Sequence, residues 1–161
     1  MDFANHGSQT PYFSLNGMNM CVRVVDVYDG DTIKIVAHIF GDYFKFDARL
    51  KGIDTCEIRS NIAANKDLAK KARTRLFELV TGAQCPETKR QMAQYLEDNV
   101  CVIYVKCNEF DKYGRVIIEC YKDSQSLQSF ADVLKQEKLA YAYNGATKLT
   151  EDQQLAVLQS L

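Results

Sequence analysis

A chain of 161 residues suits one compact domain with a core of its own, and 47% hydrophobic with 25% charged residues is the balance of a soluble globular protein. The formal net charge of −1 gives no global positive field to attract a polyanion, so a nucleic-acid site would need a local cluster of Lys and Arg. Six cysteines without a C-x-x-C pair and two distant histidines, His6 and His38, argue against a zinc site, and no run of about eighteen apolar residues exists to span a membrane.

Residues 1 to 18 read as a flexible N-terminal arm ahead of a single domain over 19–161. The opening MDFANHGSQTPYFSLNG lacks the basic start and apolar run of a secretory signal, so an intracellular location is expected unless a leader has been removed. CVRVVDVY and DTIKIVAHI are two β-branched runs joined at Asp29-Gly30, a strong hairpin signal. After a turn at GDY, residues 41 to 43, the alternation of Phe44, Phe46, Ala48 and Leu50 with Lys45, Asp47, Arg49 and Lys51 predicts a third strand with one buried face.

From Asn61 the period changes to a helical one, carried by Leu68, Ala69, Ala72, Leu76, Leu79 and Val80, with Gly82 placed to stop it. Lys66, Lys70, Lys71, Arg73 and Arg75 then form a solvated outer face. The segment 81–99, with turn residues and a short helix-like piece, reads as an insertion. In VCVIYVKC, Cys101 and Cys107 share a strand face with Ile103 and Val105, so they read as small core residues, and free thiols are expected. A tight loop, NEFDKYG, leads to a fifth strand, RVIIECY. Leu127, Phe130, Ala131 and Leu134 mark a second helix, and Thr150 with Gln153 resembles a capping box opening a third that carries Leu155 and Leu158. Three strands, a helix, two strands and further helices predict an α+β fold, mainly β barrel: five strands in an OB-fold arrangement with about three packed helices.

Strand parity puts Asp31 on the face of Ile33 and Ile35, at the barrel rim. The inward parity of the third strand, carried past Gly52, reaches Asp54. Two carboxylates at one mouth repel unless a cation lies between them, and their hard oxygens suit Ca2+ or Mg2+. The carbonyl of Thr55 is a candidate further ligand, with waters and substrate completing the shell. Arg49 has the opposite parity from Asp54, so barrel twist or a bulge near Gly52 must bring it around. Glu57, in the same turn region, is a candidate proton acceptor, and Arg115 comes directly after the Asp111–Gly114 turn.

Four motifs in order, YDGDTIKI, RLKGIDTCE, DKYGR and EKLAYAYNG, resemble the staphylococcal nuclease (thermonuclease) family over residues from about Met20 to about Tyr143. The resemblance implies an OB-fold and a Ca2+-dependent phosphodiesterase cutting DNA and RNA to leave 3′-phosphates. It implies Asp31, Asp54 and Thr55, the last through its carbonyl, as calcium ligands, and Arg49, Glu57 and Arg115 as catalytic residues. Cys56 departs from the pattern, standing where the family usually has proline in D-T-P-E. The loop carrying Glu57 is then expected to be less rigid. Tyr113, Tyr141 and Tyr143 divide between base stacking and packing. DNA or RNA is the expected partner, no obligate protein partner is inferred, and a monomer is expected. The alternatives are a catalytically weak or inactive nucleic-acid or protein-binding module of the same family, or a plain single-strand-binding OB domain.

Overall fold

The computed structural model describes residues 1–161. Five long strands close into a barrel: β1 (Asn19–Val27), β2 (Thr32–Ile39), β3 (Asp42–Leu50), β5 (Cys101–Phe110) and β6 (Val116–Tyr121). Their order around the barrel is β1-β2-β3-β6-β5. All neighbours are antiparallel except β3 and β6, an arrangement compatible with an OB-fold. Two short strands, β4 (Ile53–Asp54) and β7 (Tyr141–Ala142), form a separate antiparallel pair.

Four helices accompany the barrel: α1 (Ala63–Thr81), α2 (Lys89–Asp98), α3 (Phe130–Gln136) and α4 (Glu151–Ser160). The additional one, α2, lies within the segment expected to be an insertion. A reciprocal Thr88–Gln91 capping box starts it, and Met92 and Leu96 join the main core. Arg23 on β1 donates through Nη2 to the carbonyls of Leu96 (3.1 Å) and Glu97 (3.1 Å), satisfying acceptors that the end of the helix leaves free. The segment is therefore part of the fold's single large core.

Alternation behaves as expected on β2 and β5. Ile33, Ile35, Ala37 and Ile39 point inward from one, Cys101, Ile103, Val105 and Cys107 from the other, and all six cysteines are free thiols. On β3 the pattern holds only for the second half. Ala48 and Leu50 are buried, Phe46 is half-buried against Phe110, and Phe44 is exposed on the half of β3 that pairs with β2 alone, since β6 pairs only with Ala48, Arg49 and Leu50. Leu127 is likewise in solvent: α3 begins only after Ser129, whose side chain caps it. The N-terminal stretch is not uniformly an arm. Leu15 is buried in the core, and the Gly17 amide donates to the Cys107 carbonyl.

Two glycines shape the outer edge of the barrel near Thr55. A Cβ on Gly30, in the β1–β2 turn, would lie 2.5 Å from the Ala72 Cβ and 2.9 Å from the Thr55 Cγ2, so its absence lets α1 and the Thr55 segment close onto the turn. Gly52, at φ 82°, occupies the left-handed region in the turn between β3 and β4 and folds the chain back over the outside of the barrel.

Candidate active site

Asp31 stands at the start of β2, beyond the Asp29-Gly30 turn. Its amide donates to Asp29 Oδ1 (3.1 Å), an Asx-type turn that fixes the corner. Its carboxyl accepts from Thr32 Oγ1 at 2.9 Å and from the Thr55 amide at 3.3 Å. Arg49, paired with Thr32 in the β2–β3 ladder, projects outward from the barrel, yet it is only 7% exposed because β4 and β7 cover it. The guanidinium lies between the two acids: Nη1 is 3.0 Å from Asp31 Oδ2, and Nη2 is 3.2 Å from Asp54 Oδ1. Nη2 also donates to the Ile53 carbonyl at 3.2 Å.

Asp54 does not continue the inward face of the third strand, as parity led one to expect. The turn at Gly52 breaks the alternation, and Asp54 arrives on β4, outside the closed barrel, where Arg49 already points. The arginine needs no unusual twist to reach it.

Tyr141, paired with Asp54 across β4 and β7, donates its hydroxyl to Asp54 Oδ2 at 2.6 Å. Lys148, in the segment before α4, places Nζ 3.6 Å from Asp54 Oδ1 and 3.4 Å from Glu57 Oε1. Glu57 is half exposed, unlike the two aspartates. Arg115 is held by Asp111, with Nε donating to Oδ2 at 2.7 Å, and its guanidinium carbon lies 5.5 Å from the centre of the Tyr113 ring.

Asp31, Arg49, Asp54, Thr55, Glu57 and Arg115, drawn from separate segments of the chain, all line one cleft of about 190 Å³. Tyr28, Asp29 and Lys148 line it too. A wider groove of about 770 Å³ shares Arg49, Arg115 and Lys148 with the cleft and has Tyr113 and Tyr143 in its walls. The Arg49 guanidinium carbon sits 5.5 Å from the Tyr143 ring centre. Tyr141, by contrast, is buried beneath Asp54 and lines neither space.

The electrostatics divide the two aspartates. Burial is the main force pushing the Asp31 pKa up to about 8; the Asp29 charge adds to it and Arg49 opposes it. Burial also acts against ionised Asp54, but hydrogen bonds from Tyr141 and Asp31, with help from Lys148 and Arg49, outweigh it and lower the pKa. Burial thus favours the protonated form of Asp31, while the partners of Asp54 favour its ionised form.

The floor carries hard oxygen atoms of the kind a divalent cation takes, although the Arg49 guanidinium already lies between its two carboxyls. Its donors are carboxylate and carbonyl oxygens, and the proton on a buried carboxyl is what a cation replaces on binding. No group of three or more His, Cys, Asp or Glu converges there, so Asp31, Asp54 and the Thr55 carbonyl would hold the ion with water completing the shell.

Compared with known proteins, the chain matches no family model and no curated sequence. The functional reading rests on the motifs and the cleft.

Sequence reasoning did not single out Lys148 or Tyr28 and left Tyr141 out of the site. For Tyr141 a signal existed in the late motif. Lys148 lies in no patterned stretch, and only the docking of the α4 approach reveals it.

Proposed function

We propose that the protein is a Ca2+-dependent nuclease that hydrolyses phosphodiester bonds of DNA or RNA and leaves 3′-phosphates. One observation carries this reading: the six motif residues, from three stretches of the chain around positions 31, 49–57 and 115, line a single small cleft. Resemblance to the thermonuclease family supplies their roles, and the chemistry of the cleft supports those roles.

In this reading Asp31, Asp54 and the Thr55 carbonyl hold Ca2+, which when bound neutralises charge that develops on the phosphoryl group. The scissile phosphate enters between Arg49 and Arg115, whose planar guanidiniums offer paired hydrogen bonds to its oxygens as negative charge builds. Glu57 takes the proton of the attacking water or holds that water in line. Its half exposure keeps it within reach of solvent, and Lys148 sets a positive charge beside it. The groove with Tyr113 and Tyr143 takes the chain on one side of the cut. No helix is long and apolar enough to cross a membrane. In the same reading the chain acts as a monomer that needs no protein partner, inside the cell unless a leader has been removed.

A second reading is a binding module without catalysis. It is favoured by the internal partners of each catalytic group: Arg49 with two aspartates, Arg115 with Asp111 and Glu57 with Lys148. Degradation of single-stranded DNA and RNA with added Ca2+, against chelator and against Glu57→Gln, separates the two. Hydrolysis that needs Ca2+ and falls roughly 10²-fold or more in Glu57→Gln is expected. Binding without cleavage, indifferent to Ca2+, would leave the module.

A further inference from the structure

We infer that Lys89, seated on Tyr28, binds the backbone of the nucleic-acid substrate where it leaves the cleft on the side away from the Tyr113–Tyr143 groove. This contact rests on the protein being a nuclease.

A scissile phosphate within a strand has nucleotides on both sides, so the cleft must open in two directions. The groove serves one of them. Tyr28 and Asp29 line the cleft but not the groove, while Tyr113 and Tyr143 line the groove but not the cleft. Tyr28 therefore stands on the part of the cleft that the groove does not share. A polyanion leaving there meets the Asp29 carboxylate, whose Oδ1 is fixed by the Asp31 amide and cannot swing aside without opening the turn. Passage needs a compensating cation.

Lys89 is that cation. Its ammonium lies 4.4 Å from the centre of the Tyr28 ring, a placement that fixes the charge without neutralising it. Lys89 forms no ion pair with any carboxylate, in contrast to Lys34, Lys135 and Lys148. The residue belongs to α2, so the segment that carries the extra helix also brings a positive charge against a residue that lines the cleft. A purely structural role, pinning α2 to the β1–β2 turn, predicts a loss of stability when Lys89 is removed and no change in salt dependence.

The test compares wild type with Lys89→Ala, Lys89→Arg and the remote surface control Lys122→Ala on a twelve-nucleotide single strand and on a dinucleotide, in Ca2+ from 50 to 300 mM salt. Lys89→Ala is expected to raise KM for the longer strand roughly threefold to tenfold at low salt and to flatten the slope of log affinity against log salt by about 0.7, the release of one phosphate contact. The loss on the dinucleotide is smaller, kcat stays near wild type, and Lys89→Arg restores the slope. An unchanged slope, or equal losses on both substrates, overturns the contact. The same titrations read by fluorescence anisotropy on the Glu57→Gln protein separate this inference from the nuclease reading. Binding whose slope depends on Lys89, without cleavage by wild type, overturns nuclease activity and keeps the contact. Cleavage with a slope indifferent to Lys89 overturns the contact alone.

Discussion

The floor and the rim of the cleft are built on different principles. On the floor, Asp31, Asp54 and Arg49 are buried, and the carboxylate oxygens meet donors from Thr32, Thr55, Arg49 and Tyr141. At the rim, Glu57 and Lys148 are each about half exposed and meet at 3.4 Å, a pairing worth little in water. On the nuclease reading the contrast suits a division of labour. Groups that meet a fixed cation and a developing charge gain from preorganisation in a dry site, whereas a group that exchanges a proton with water gains from access to it. The difference should be visible in how each region responds to loss of one member.

The largest effect is expected from Arg49→Ala. It leaves two buried carboxyls without their shared cation, and stability should fall by about 3–5 kcal/mol, a drop in Tm of roughly 6–20 °C. On the nuclease reading turnover also falls roughly 10²-fold or more. Glu57→Gln should match that loss of turnover with little change in Tm. Thermal melts and kinetics on both variants check this, and similar Tm losses in the two would erase the distinction between floor and rim.

The next effect is a pH dependence. The folded pKa of Asp31, about 8, lies above its ordinary value of 3.8. The folded state thus retains a proton that the unfolded chain gives up. Its contribution to stability is complete below the unfolded pKa and is lost as pH rises through about 8. The metal-free protein should therefore lose at least about 4 °C in Tm between pH 5 and 8, and Asp31→Asn should flatten that slope. On the nuclease reading Ca2+ opposes the loss, because binding the ion expels the same proton. A melt series in chelator showing no excess slope over Asp31→Asn would remove the floor's special status.

How much of the molecule was legible in the sequence depends on whether the governing interaction is local. The hairpin at Asp29-Gly30, the inward faces of β2 and β5, the Gly82 stop of α1 and the Thr150–Gln153 capping box are patterns a few residues wide, and each is present. Failures came where a rule was extended through a break. Parity carried past Gly52 put Asp54 on the wrong face, since a left-handed glycine turn ends the alternation. Helical spacing extended back to Leu127 overran the Ser129 cap. Phe44 alternates correctly but lies on the half of β3 that β6 does not pair with, which a single strand's pattern does not reveal. At the cleft, the motif residues were legible by resemblance, but the Arg49 bridge between Asp31 and Asp54 was not. Neither were the approaches of Lys148 and Lys89, which depend on how α4's leading segment and α2 dock.

The smallest effect tests whether the floor is one unit or a set of separable contacts. Tyr141→Phe removes only the hydroxyl that donates to Asp54 Oδ2 at 2.6 Å and keeps the buried ring. A hydrogen bond to a charged group is worth about 1.5–3 kcal/mol, so the loss should stay below that of Arg49→Ala. Its pH dependence runs opposite to that of Asp31. The hydroxyl helps to hold the Asp54 pKa below its ordinary value against the pull of burial, so its contribution is present above about pH 4 and disappears as pH falls through the lowered folded value. The stability gap between wild type and Tyr141→Phe should therefore be full at pH 7 and narrow toward pH 3 in urea melts. A gap constant over that range would mean that the hydroxyl contributes packing rather than charge stabilisation, and that Arg49 alone keeps Asp54 ionised.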